Sequence, residues 1–227
     1  MASLSLILSC EYAGNQVPIR YRGLFPTDEI LSSPKGWDAG ALDITVALSE
    51  SLDVSCFSHQ TTRLLVDVNQ SLSNPHLFSA FTTDLGDEDK QLLLDKYYFP
   101  YRLRVEHALA MLPKPVVHLS IRSLPSAFQE RIYLTDIGIV FDSQRSFEKT
   151  IALQLMSSLE QAMGDLRIDL KDSSDNAPDG FMAYLRTRFS EEEYMGITIE
   201  INQQLLTPEV IDKVTTALSF SLLALRA

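Results

Sequence analysis

The feature that most constrains this chain is the stretch Pro115-Val-Val-His-Leu-Ser-Ile-Arg-Ser-Leu-Pro125. A short apolar run, Val116 to Ile121, stands between prolines and ends in polar side chains. That pattern reads as a buried strand delivering residues to a site at its C-terminal end. Alternation puts His118, Ser120 and Arg122 on one face and Val117, Leu119 and Ile121 on the other. Three further stretches read as strand ends of the same kind: Ser9-Cys10-Glu11-Tyr12, Arg63 to Asn69, and Ile197 to Asn202. In an open α/β sheet such ends converge on the ligand.

The rest of the chain supplies the helices such a sheet needs. Strands are expected at Leu4–Ser9, Val54–Ser58, Arg63–Val68, Ile137–Phe141, Leu166–Leu170 and Ile197–Ile201. Asp38 stands where an N-cap belongs, ahead of Leu42, Val46, Leu48 and Leu52 at broadly helical spacing. A long helical stretch begins at Asp87-Glu-Asp-Lys, acidic at its start as the helix dipole favours, and Pro100 must kink or divide it. Ser146 is the expected cap of a helix ending near Gly164. Lys171 to Asn176 reads as a loop leading to a helix over about Asp179–Phe189, and Thr207-Pro208-Glu209 opens the last helix. Strands and helices alternate with no linker or repeat, so residues 1–227 are expected to form one domain: a three-layer α/β/α sandwich with a mostly parallel, mixed central sheet.

Composition narrows the partners. The formal net charge is −11, which argues against a nucleic-acid backbone or an anionic membrane surface. A local arginine cluster can still hold a small anion. Two cysteines do not make a disulfide scaffold, and Cys10 reads as a small buried thiol. The apolar run from Leu4 to Leu8 is short for a signal-peptide core, and no run reaches the length of a membrane span. A cytoplasmic, soluble protein is expected.

The sharpest chemical signal is Glu200, a carboxylate inside Ile-Thr-Ile-Glu-Ile with Thr198 on its face. Such a group reads either as the polar face of an edge strand or as a general base. Arg63, Asp67 and Asn69 share a face in the expected third strand, either as a structural ion pair or as a clamp for a substrate carboxylate. Of the four histidines, His118 reads as a core residue, and His59, His76 and His107 lack neighbours at metal-ligand spacing. No phosphate loop or nucleophile elbow is present.

In order and spacing, nine segments resemble the N-formylglutamate amidohydrolase family. They are Ser9-Cys-Glu-Tyr-Ala-Gly-Asn-Gln-Val-Pro18, Gly36-Trp-Asp-Ala-Gly-Ala41, Thr62-Arg-Leu-Leu-Val-Asp-Val-Asn69, Asn74-Pro-His-Leu-Phe78, Tyr98-Phe-Pro-Tyr-Arg102, His118-Leu-Ser-Ile-Arg-Ser123, Asp136-Ile-Gly-Ile139, Asp179-Gly-Phe181 and Ile199-Glu-Ile-Asn-Gln203. The resemblance implies a zinc-exopeptidase-like fold and hydrolysis of the amide of N-formyl or N-acyl amino acids, with one zinc at the strand ends. It implies Glu11 as a metal ligand and Glu200 as the catalytic base, and the candidate substrate-binding residues of this chain are Arg63, Asp67, Asn69 and Arg122.

The chain departs from the pattern at the metal. Tyr12 and Arg122 stand where the resemblance expects two histidines, and Gln70 stands where it expects an arginine. Residues Ser173 to Pro178 replace a tyrosine-bearing loop. A guanidinium cannot ligate a cation and repels it, so no zinc is expected, with Glu11 left as a residual family position. Arg122 is expected to take the vacated place and pair with Glu11 or Glu200. Two functions stay open at this point: a divergent amidohydrolase, or a non-catalytic protein holding a small carboxylate-bearing ligand.

Overall fold

The computed structural model describes residues 4–125, 127–128, 131–132, 135–174 and 179–226. In chain order the elements are β1 (Ser5–Cys10), α1 (Asp28–Ser32), α2 (Ala41–Leu52), β2 (Cys56–Ser58), α3 (Asp87–Leu93) and α4 (Phe99–Met111). There follow β3 (Val116–Leu124), the short pair β4 (Ala127–Phe128) and β5 (Arg131–Ile132), β6 (Ile137–Phe141), α5 (Ser146–Ala162), β7 (Ile168–Asp172), α6 (Phe181–Arg188), β8 (Tyr194–Asn202) and α7 (Pro208–Arg226).

The main sheet has six strands in the order β2-β1-β3-β8-β6-β7. Neighbours run parallel except β6 against β8, which is antiparallel. The expected mixed, mostly parallel sheet is therefore the one observed. Both faces are covered, as parallel strands require. One apolar core joins Leu8, Leu119, Ile121, Ile197 and Ile199 to α2, α5 and α7. The other joins Ile7, Val116 and Tyr194 to α4, α6 and the loops that follow β2. Among the described residues no helix is long and apolar enough to cross a membrane.

Alternation along the central strands decides what reaches the second face. Register aligns three rows across it: Ile7, His118 and Gly196; Ser9, Ser120 and Thr198; then Arg122 and Glu200, with Gly138 beyond Glu200. The rows grow more polar toward the C-terminal ends of β3 and β8, and there the sheet opens into a pocket. Glu200 lies on an interior strand, so it is not the solvent face of a sheet edge.

Several expectations need correction. The stretch Arg63–Val68 is a series of turns, because its backbone groups bond locally and to the next loop. Leu65 N donates to Thr62, Asp67 N to Leu77, and Asn69 N to the Asp67 side chain at 2.9 Å. Asp38 does not cap α2. The cap is Gly40 at φ 78°, a left-handed conformation that glycine adopts without strain, and the Asp38 carboxylate is engaged elsewhere. Helix α5 starts at Ser146 itself, with no side-chain cap.

The disturbance expected at Pro100 is present: the helical stretch is divided into α3 and α4. A single π-helical turn, Leu94–Tyr98, joins α3 to α4 and leaves Pro100 in the first turn of α4. The wider turn accommodates a ring that an unbroken α-helix would clash with. The expected strand at Leu166–Leu170 runs two residues later, and the expected helix after Asp179 is α6. Residues 175–178 of the loop that differs from the family pattern lie outside the described residues.

Candidate carboxylate pocket

Asp38 is the centre of the site. It is 2% exposed, and both its oxygens are occupied. Oδ1 accepts from Nη2 of Arg63, and Oδ2 accepts from Nε of Arg122 at 2.6 Å and from the backbone N–H of Ser123 at 3.3 Å. The two guanidinium groups lie against the Tyr12 ring, with their Cζ atoms 3.7 Å (Arg63) and 4.1 Å (Arg122) from its centroid. Two cations share one buried carboxylate, which leaves one positive charge over, and the Tyr12 ring offers its face to both.

This arrangement corrects the expected pairing. Arg122 bonds Asp38 and not Glu11 or Glu200, and Arg63 bonds Asp38 and not Asp67. Each carboxylate that was expected to be orphaned has its own partners. Glu11 Oε1 accepts from Ser9 Oγ at 2.6 Å and Tyr101 Oη at 3.1 Å, and Oε2 accepts from Ser120 Oγ at 2.5 Å. Glu200 Oε2 accepts from Lys171 Nζ at 2.8 Å. Asp67 accepts from the Tyr12 hydroxyl at 2.7 Å. Burial pushes the Asp67 carboxyl above its usual range, and the Tyr12 hydroxyl and Asn69 N–H only partly offset it. The Tyr12 phenol is raised well above its ordinary value, first by burial and then by the Asp67 charge.

His118 is fully buried, as its place in the strand suggests. Its Nδ1 is 2.9 Å from Tyr194 Oη and its Nε2 2.7 Å from Ser9 Oγ. Because Ser9 donates to Glu11, its oxygen accepts from Nε2–H, which makes Nδ1 the acceptor for Tyr194. Burial pushes His118 down to about 4. Between pH 6.5 and about 4 the unfolded chain therefore holds a proton that the folded chain refuses. The stability due to neutral His118 is complete above pH 6.5 and is lost as pH falls through that window. The expected loss is on the order of 3 kcal/mol. Urea denaturation at several pH values checks it: wild type should lose more stability than His118→Gln between pH 7 and 4.5, and parallel profiles would refute the assignment.

The pocket between these groups has a volume of about 190 Å³. Arg122, Glu200, Ser120, Thr198 and Glu11 form its floor, and Asn69, Gly180, Met182 and Arg186 close its sides. Asn69 holds the start of α6 by accepting from Phe181 N at 3.1 Å. Of the residues expected at the site, Glu11, Asn69, Arg122 and Glu200 line this cavity, whereas Arg63 and Asp67 support it from behind. Sequence reasoning missed Asp38 as an ion-pair centre, although Asp38 lies inside the quoted segment Gly36–Ala41. It also missed Tyr101, Lys171 and Arg186, whose roles depend on contacts distant in sequence.

A catalytic zinc site takes three protein ligands, mostly imidazole and carboxylate, and keeps one position open. Here Glu11 is saturated by hydroxyl donors, Tyr12 is turned to Asp67, and Arg122 carries a permanent positive charge into the same pocket. His118 is committed on both ring nitrogens. Among the described residues no group of three or more His, Cys, Asp or Glu side chains could hold a metal ion. As arranged, the described side chains do not present a zinc ligand set.

Comparison with known proteins agrees with this architecture. A family model for N-formylglutamate amidohydrolase matches residues 4–207. No curated protein matches the chain. Among solved structures, the gene product Atu2144 from Agrobacterium tumefaciens is similar at a TM-score of 0.82 and 22% identity, over 100% of this chain and 93% of that one. An N-formylglutamate amidohydrolase from Ralstonia eutropha is similar at 0.70 and 15%, over 99% and 93%. The CwlD amidase from Clostridioides difficile shares the fold more distantly, at 0.52 and 13%, over 97% and 98%. The family match takes in every strand that builds the pocket, and the chain belongs to the N-formylglutamate amidohydrolase family, a family of hydrolases.

Proposed function

We propose that this member of the family binds a small carboxylate-bearing molecule on Arg122 and does not hydrolyse an amide by zinc chemistry. One observation carries the reading. Arg122 stands where the resemblance expects an imidazole ligand, and Asp38 holds its Nε. Its two terminal nitrogens have no partner among the described residues, and the side chain lines the cavity. A guanidinium anchored at one edge with free donors at the other is preorganised for a carboxylate. Without a metal-bound water, Glu200 has no activated nucleophile to deprotonate, and the Lewis-acid contribution of several kcal/mol is missing.

The competing reading, a working amidohydrolase, is favoured by Glu200 itself, half-buried in the same cavity with one oxygen unpaired among the described residues. One assay separates the two. Wild type and Glu200→Gln are compared on N-formylglutamate with and without added zinc, after metal analysis of the purified protein. The expected result is well under one equivalent of zinc and no turnover above the variant. Zinc-stimulated turnover that disappears in Glu200→Gln would establish the hydrolase instead.

A further inference from the structure

Arg122 on β3 and Glu200 on β8 are register partners on adjacent parallel strands, so opposite charges stand side by side on the pocket floor. They do not pair with each other. Arg122 is drawn to Asp38 on one side, and Glu200 is drawn to Lys171 on the other. Lys171 reaches Glu200 by passing over Gly138, where a Cβ would lie 2.9 Å from both its Cε and its Nζ. Each charge is thus neutralised from outside the pocket and keeps bonding capacity inside it. Among the described residues the terminal nitrogens of Arg122 and Oε1 of Glu200 have no hydrogen-bond partner. Thr198, two residues before Glu200 on the same face, makes only a weak donation to the Met182 sulfur at 3.4 Å, so its oxygen remains free to accept.

We propose that the pocket takes a free α-amino acid as its zwitterion, with the carboxylate on Arg122 and the ammonium on Glu200 and Thr198. This rests on the carboxylate-binding reading and deepens it. A ligand with a carboxylate alone leaves the second oxygen of Glu200 desolvated with no donor, which costs affinity. An N-acylated amino acid offers one amide N–H in place of a cation and must also fit its acyl group. The cavity, about 190 Å³, has room for about six waters at roughly 30 Å³ each. That suits one amino acid with a short side chain against Val140 and Met182.

Isothermal titration calorimetry of the full chain tests this with alanine, serine, valine, leucine and aspartate, each beside its N-acetyl and des-amino counterparts. At least one free amino acid should bind ten times or more tighter than both counterparts. In Glu200→Gln the three forms of that compound should come within about threefold of one another, and Arg122→Gln should bind none. If Arg122→Gln does not fold, Glu200→Gln decides alone. Counterparts that bind wild type as tightly as the free amino acids would overturn the zwitterion proposal and leave the carboxylate reading standing. Failure of every compound to bind wild type would end both.

Discussion

Asp38→Ala should lower the unfolding free energy by roughly 3–5 kcal/mol, the range for removing one partner of a buried ion pair. The size follows from what remains. Asp38 is 2% exposed and is the shared counter-charge of Arg63 and Arg122, whose side chains are 17% and 15% exposed. Without it two guanidinium groups lie against one Tyr12 ring, with Asp67 as the next carboxylate, already occupied by the Tyr12 hydroxyl. Arg122→Met should cost less, because Asp38 keeps Arg63. Added salt should recover part of the Asp38→Ala loss by screening the two cations. Denaturant titration of both variants reads these differences. Equal losses, or an Asp38→Ala midpoint matching wild type, would show that Asp38 is not the centre of the cluster.

Glu148→Ala should be at least as damaging, again by about 3–5 kcal/mol. Glu148 is fully buried in α5 and joins four segments. Its oxygens accept from Arg186 at 3.0 and 2.8 Å, from Gly196 N at 3.0 Å and from Asp142 N at 3.0 Å, and Arg145 lies 3.3 Å away. Removal leaves two arginines and two backbone donors in a dry interior. Because Arg186 lines the pocket and also donates to Gly196 O, the same variant should weaken ligand binding. Calorimetry and denaturation measured together distinguish the outcomes. A stable Glu148→Ala protein with intact binding would mean that water or a rearranged arginine substitutes for the carboxylate.

Much of the scaffold was legible because it depends on local pattern. The alternation around His118, Ser120 and Arg122 and around Thr198 and Glu200 told which side chains share a face, whereas the register that sets Ser120 beside Thr198 and Arg122 beside Glu200 came only with the folded sheet. The Thr207-Pro208-Glu209 start of α7 and the strand at Ile137 were equally local. Pro100 was legible as a disturbance of the helix, but its form, a π-helical turn ahead of α4, was not. Arg63–Val68 misled because its apolar residues have the composition of a buried strand. Its backbone groups find partners in turns and in the following loop, a choice made by distant packing.

The site divides along the same line. The sequence by itself determined the residue types: a carboxylate at Glu200, no imidazole at positions 12 and 122, and an arginine pointing toward the pocket. Only the tertiary structure decided the pairing. The expected partner of Arg122 was Glu11 or Glu200, yet the guanidinium bonds Asp38, 84 positions away in the chain. The physical reason is that a carboxylate as dry as Asp38, 2% exposed, is costly without a counter-charge. Glu11 was already held by three hydroxyls and Glu200 by Lys171, whereas Asp38 had two open oxygens. Those contacts span separations that no spacing rule along one chain records.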